Sequence, residues 1–411
     1  MIKLINYELK KHFYKRSLII ALLIFSIINV MKISSIYQNN SLISNSDSSK
    51  WRDVYWQLYD EYKGQITHEK IQKLLSVYRP IEKQTADLTA SRRMDNPDTY
   101  TGNVYSDYYL LTWYYMQPME YAYMYQSTAD DIVRRAQENM IFFRDLGNTY
   151  KLNENKIIAK LFSHRFIADF SYTEMYQNYL KYDFSSLLVL LICMYGLVGV
   201  FVIEKESDMD MLLITTEAGG KKTIVAKLSA SMLFVSFICL WFWLLDFIAF
   251  GLIFHSFEAA NSPIYALESF ENASVNLTLG QYSFLSALIK TAGMLVIGLT
   301  FLLISLKSKN ALIPFIWNII FISILVILKE TLSGSEHILL KVINPFILVE
   351  NSELFSKVEF INFFGIPILS YFAASSFAAL LGAILTLVIH KAAKKNVIAG
   401  RRVDNYADII V

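Results

Sequence analysis

Six stretches of this chain are apolar for long enough to cross a lipid bilayer: Ser17 to Ile36, Phe184 to Ile203, Ile224 to Phe254, Phe284 to Leu306, Ala311 to Leu328 and Ile366 to Ile389. A helix rises 1.5 Å per residue, so about 20 apolar residues span roughly 30 Å of hydrocarbon. The third stretch exceeds that length and is expected to tilt, or to begin as an interfacial helix. With 54% apolar residues among 411 and a mean hydropathy of +0.35, the chain lacks the polar surface of a soluble protein. The expectation is an all-α polytopic membrane protein with about six transmembrane helices and a large, mostly α-helical extracellular domain between the first and second.

Charge distribution sets the sidedness. Lys10, Lys11, Lys15 and Arg16 precede the first span, and short basic segments stay in the cytoplasm. Threading six spans from there places Lys221, Lys222 and Lys227, then Lys307 and Lys309, then Lys391, Lys394, Lys395, Arg401 and Arg402 on one side. Both termini are therefore expected in the cytoplasm, with the protein in the cell membrane. Residues 17–36 read as a retained anchor, because Ile33-Ser34-Ser35-Ile36-Tyr37 has no small-x-small cleavage pattern. In residues 1–16, Ile2, Leu4, Ile5 and Leu9 alternate with Lys3, Lys10 and Lys11, the pattern either of an amphipathic interfacial segment or of a frayed basic end. Residues 391–411 form a basic cytoplasmic tail. Lys plus Arg (38) nearly balances Asp plus Glu (36), so the bulk charge points to no nucleic-acid partner.

Residues 37–183 suffice for one compact domain. Cys193 and Cys239 both fall in spans, so that domain folds without a disulfide. Asn39 to Lys50 reads as a linker. Trp51, Val54, Tyr55, Leu58, Tyr59 and Tyr62, and then Ile71, Leu74, Leu75 and Tyr78 before Pro80, recur at helical spacing. Asp95 to Asn103 reads as a loop, and Thr128 with Asp131 as a capping box opening a helix that Gly147 stops after Leu146. Among the aromatics crowded between Tyr105 and Tyr125, Trp113, Tyr114, Tyr115 and Tyr121 are candidates for a surface that binds peptide or lipid; the alternative is a domain core resting on the membrane interface.

Ionisable groups inside spans are costly and mark function by default. Asp246 and Lys290 fall at similar depth in the third and fourth spans, which predicts an ion pair that holds an outer gate or lines a polar path; the alternatives are a pair that only packs, or Lys290 snorkelling alone to the headgroups. The segment Lys329 to Gly365, with Asn344-Pro345 as a breaker, is either a simple outer loop or a set of short broken helices entering the outer leaflet.

No catalytic chemistry emerges. Gly219-Gly220-Lys221-Lys222-Thr223 resembles a phosphate loop, but position 215 is Thr and Lys222 follows Lys221 where Ser or Thr is required. The six histidines are scattered without metal-binding spacing. The chain is expected to be no enzyme and to hold no cofactor or metal. Asn272-Ala273-Ser274 and Asn276-Leu277-Thr278 are glycosylation acceptor triplets.

Between the second and third spans, residues 204–223 open with the acidic cluster Glu204-Lys205-Glu206, step through Leu212-Leu213 and close on Gly219-Gly220-Lys221-Lys222. In this the chain resembles the membrane subunits of ATP-binding-cassette exporters of the type-2 permease family. Glu204, Leu212, Leu213, Gly220, Lys221 and Lys227 match the family's acidic exit, Leu-rich segment, small-plus-basic step and opening lysine. The family often has Gly-Thr where Asp208-Met209 or Met209-Asp210 stands, usually Arg at the place of Lys221, and a much shorter outer loop. The resemblance implies half of a transmembrane pathway, a second permease copy or paralogue, and a separate ATPase carrying ATP and Mg. That ATPase would push through Glu204, Glu206, Leu212, Leu213, Lys221 and Lys222, exporting an amphipathic or hydrophobic solute such as a peptide. The alternative for the loop is a solvated hairpin, and for the chain a membrane sensor or assembly protein with a ligand-binding outer domain.

Overall fold

The computed structural model describes residues 1–40, 42, 48–87, 100–207, 221–332 and 338–407. It is mostly helical, and among the described residues six helices are long and apolar enough to cross a membrane. Helix α1 (Ile2–His12) is amphipathic, and an extended Lys15 turns the chain into the first span, α2 (Arg16–Gln38). The domain that follows contains α3 (Ser48–Tyr62), β1 (Gly64–Gln65), α4 (His68–Asp87), α5 (Val104–Leu111), α6 (Gln117–Asp145), α7 (Thr149–Phe162), β2 (Asp169–Phe170) and α8 (Glu174–Leu180). The remaining spans are α9 (Phe184–Glu206), α10 (Lys221–Ile253), α11 (Leu279–Lys307) and α12 (Leu312–Leu332), with the last in α16 (Ser370–Ala407), whose apolar part ends at Lys394. One end of the bundle carries α1, the end of α9 and the start of α10 and is called the basic end; the other carries the domain.

Helix α9 is the hub. It packs against α2, α10, α11 and α12, and 72% of its apolar window is buried, against 17% for α2, α12 and α16. Composition does not set it apart, because a membrane span is apolar all round whether it faces protein or lipid, and α2 and α12 are comparably apolar yet peripheral.

Residues 338–356 fold as three short helices, α13 (Ile338–Ile343), α14 (Phe346–Val349) and α15 (Ser352–Ser356). Pro345 precedes α14, and Ile347, Leu348, Val349, Leu354 and Phe355 are buried. Gly293 on α11 makes room for α14: a Cβ there would lie 2.9 Å from Leu348 Cβ and 3.1 Å from the Pro345 carbonyl. The short-helix expectation thus fits this segment. The sixth span differs from expectation, since Ile366–Leu369 is a strand, β4, paired antiparallel with β3 (Phe360–Phe363).

The domain buries Trp51, Tyr55, Tyr59, Tyr62, Tyr115, Phe170 and Tyr172 together, and β1 pairs with β2 to close it. Two helical expectations change. Helix α4 runs through Pro80, and α6 starts at Gln117, after a π-helical turn at Thr112–Met116, and passes Thr128 without a break. Gly147, at φ 68, ends that helix region as expected. The linker and loop expectations at 41, 43–47 and 95–99 lie outside the described residues.

The domain is tied to the connection between α10 and α11. Arg165, 2% exposed, donates to Asn276 Oδ1 (2.8 Å), the Ala273 carbonyl (2.7 Å) and Tyr125 Oη (3.4 Å), and its guanidinium lies over the rings of Phe162 and Tyr265. Hydroxyls of Tyr59, Tyr121 and Tyr125 reach Glu258 and the carbonyls of Tyr265 and Glu271. Asn276 also donates to the Leu161 carbonyl at 2.8 Å. Arg165→Ala leaves these acceptors buried without a donor. We expect a loss of about 3 kcal/mol in thermal unfolding, together with faster proteolysis between the domain and α9.

Candidate functional site

Among the described residues, side-chain bonds on the basic side converge on the end of α9. Its last three residues, Glu204, Lys205 and Glu206, each hold a different neighbour. Glu204, 6% exposed, accepts from Lys11 Nζ of α1 (2.5 Å) and from Lys227 Nζ of α10. Lys205 Nζ donates to the carbonyls of Leu306 and Ser308 where α11 ends, the latter at 3.1 Å. Glu206 Oε1 accepts from the backbone amide of Ala311 at the start of α12 (2.8 Å). Side chains that leave a helix in consecutive directions reach around it, and here they reach four elements.

Lys227 is 3% exposed, donates also to the Val200 carbonyl (3.2 Å) and lies 5.0 Å from the Phe201 ring centroid. Beside it, His12 Nε2 and Glu8 Oε2 of α1 face each other at 3.2 Å, both residues 2% exposed. Burial holds the His12 imidazole below its ordinary value, partly offset by the neighbouring Glu8 carboxylate. Glu8, His12 and Glu204 place three metal-type ligand atoms within 4.8 Å of one another. Two ammonium groups already match the two carboxylates, and a divalent cation would add its charge against both, so the set fits a closed ion-pair network better than a metal centre.

Of the expected contact residues, Glu204 and Glu206 belong to this network and Lys222 is exposed beside it. Leu212 and Leu213 lie outside the described residues; Lys221 opens α10, and its side chain lies outside them as well. Glu8, His12 and Lys205 were not singled out from sequence. A carboxylate four residues before a histidine, on the buried face of an otherwise basic helix, was the available signal.

Beside the network, Leu9, Phe13, Leu22, Phe234 and Phe237 line an apolar groove of about 460 Å³ between α1, α2 and α10, open to the side of the bundle.

Nearer the domain end, Asp246 and Lys290 line one cavity of about 50 Å³, with room for water, together with Tyr182, Ser185 and Ser286. They do not form the expected ion pair. Asp246, 6% exposed, accepts from Asn29 Nδ2 of α2 (2.5 Å) and from the Ser185 hydroxyl, and Asn29 Oδ1 in turn accepts from Tyr182 (2.7 Å). Lys290 Nζ instead lies 3.3 Å from Asp183, which precedes α9. Asn29, uncharged and inside the first span, supplies a donor already at that depth, and Asp183 offers Lys290 a carboxylate nearer the helix ends.

The expected aromatic surface divides. Tyr115 is fully buried in the domain core, Tyr114 packs there partly buried, and Tyr121 is bonded to the Tyr265 carbonyl. Trp113 remains 48% exposed, with Tyr109 beside it. Proximity of tyrosines in sequence says nothing of which helix face turns inward.

Removing one partner of a buried pair strands the other charge, so Glu204→Gln and Lys227→Met should each cost about 3–5 kcal/mol, and the double substitution less than their sum, read by thermal melting in detergent. Because burial depresses His12, the undocked helix binds protons more readily than the docked one. Docking of α1 is then fully stable above the ordinary histidine value of 6.5 and weakens as pH falls below it. The hydrogen-exchange protection factors of residues 2–12, taken relative to the intrinsic exchange rate at each pH, should fall between pH 7 and 5, and His12→Gln should flatten that dependence. Comparison of the chain with protein-family models, curated proteins and solved structures gives no match.

Proposed function

We propose that this chain is the membrane-embedded permease of an exporter driven by a separate ATP-binding-cassette ATPase, completed by a second copy or a paralogue. The observation that carries the reading is the bonding at the end of α9. Any force delivered to residues 207–221 meets a helix end tied by Glu204, Lys205 and Glu206 to α1, α10, α11 and α12. A loop that served only as a solvated connection has no need of such ties. On this reading the basic end faces the cytoplasm of a cell membrane, and the domain stands outside over the exit.

The low burial of α2, α12 and α16 leaves faces for lipid and for the second subunit. The lateral groove beside Phe13 and Phe234 suits an amphipathic or hydrophobic solute entering from the leaflet. The chain itself supplies the path and the lever; ATP and Mg belong to the partner.

Affinity capture of the tagged protein from its native membrane, followed by mass spectrometry and an ATPase assay, tests this. An ATP-binding-cassette ATPase should co-purify, and Leu212→Asp with Lys222→Glu should reduce its recovery about tenfold or more, the scale of losing one interface anchor, without changing the melting temperature. A preparation clean of any ATPase would overturn the reading in favour of a membrane sensor.

A further inference from the structure

The hairpin of β3 and β4 ends in a two-residue turn, with Phe363 paired to Ile366 and Phe364 and Gly365 between them. Both turn residues have positive φ, 51° and 87°. Turns of this kind favour Asn-Gly, because a Cβ in the left-handed region is crowded. A phenylalanine holds the first position, and it is 92% exposed; Phe363 and Ile366 are 56% and 61% exposed. In water this tip combines a disfavoured backbone with three bare apolar side chains.

Other features of the hairpin suit a different solvent. From Phe360 to Ile389, through the hairpin and on into α16, the sequence contains no charged residue. The apolar exposure of the tip continues into the exposed stripe of the span, at Phe372, Leu380, Ile384 and Leu387. The Gly365 amide is satisfied locally by Asn362 Oδ1 at 2.7 Å, so the turn does not depend on water for that bond. The base is fixed by the Ser370 amide donating to the Glu359 carbonyl at 2.9 Å, which joins the hairpin firmly to the start of α16.

We propose that Phe363, Phe364 and Ile366 form an interfacial foot that inserts into the lipid leaflet at the domain end. The partner is the phospholipid surface itself. Unpaired edges of a two-stranded sheet are costly in hydrocarbon, so the strands stay among headgroups and only the tip enters the acyl boundary. Because β4 also packs against α7, the foot sets the height of the domain above the membrane. The inference needs only that α16 crosses a bilayer, and it holds whether or not an ATPase binds.

The test is a full-length Phe364→Cys protein with Cys193 and Cys239 replaced by Ala, labelled with the environment-sensitive dye NBD and reconstituted in phosphatidylcholine–phosphatidylglycerol liposomes. Nitroxide carried high on the lipid acyl chain should quench the label about twofold, as for a group at the acyl boundary, whereas aqueous iodide should have little effect. A label on Asp145→Cys, exposed at the end of α6, should behave in the opposite way. Quenching by iodide without quenching by lipid nitroxide overturns the proposal. So does protection from both with cross-linking between copies, which would assign the tip to a second chain. Phe363→Cys repeats the measurement at the neighbouring position, should Phe364→Cys fold poorly.

Discussion

A carboxylate held between two ammonium groups away from water is stable only while the set is complete. Glu204 is in that position, with Lys11 brought by α1 and Lys227 by α10. Taking these groups out of water is expensive, and their mutual attraction in a low dielectric offsets that cost only with close contact on both sides. The network therefore acts less as added stability than as a condition on geometry: α1 must lie against the bundle, and the ends of α9 and α10 must stay in register. His12 and Glu8 extend the condition along α1, and Lys205 and Glu206 carry it to α11 and α12.

The domain end has ion pairs of its own, Lys341 with Glu353 and Glu359 and Lys329 with Glu350. To these it adds uncharged and singly charged donors: Asn29 on the Asp246 carboxylate, Arg165 on Asn276 and the Ala273 carbonyl, and tyrosine hydroxyls on the Tyr265 and Glu271 carbonyls. Tyrosine suits this use, since its ring adds to an apolar core while its hydroxyl reaches a polar partner at the edge. The many tyrosines of the domain thus act mainly as its core and its attachment, and Tyr109 with Trp113 is left facing outward.

These two ends differ in how legible they were. The spans could be read because hydrocarbon thickness imposes a length, and α2 and α9 to α12 each begin and end within a few residues of the apolar runs. Glu204 was legible as an acidic exit from a span, although its partners were not. Lys11 looked like an ordinary member of a basic cluster, and Lys227, although matched to an opening lysine, had no partner assigned, since only packing shows that they turn inward. The Asp246–Lys290 pairing failed for a related reason: depth along two helices can be counted, whereas rotation about their axes and the presence of Asn29 on a third helix cannot. Ile366–Leu369 was read as helix because an apolar run of four residues has no period of its own, and Gly365 with its positive φ allowed a hairpin instead.

The sequence by itself determined that the chain is suited to a lipid solvent and how many helices are long and apolar enough to cross it, because both follow from local composition and length. Only the tertiary structure decided which charges meet, which tyrosines are core, and that a strained phenylalanine projects from a hairpin beside the last span. Those outcomes depend on the rotation and packing of helices far apart in the chain, and an ion pair between Lys11 and Glu204 exists only once those helices have been brought together.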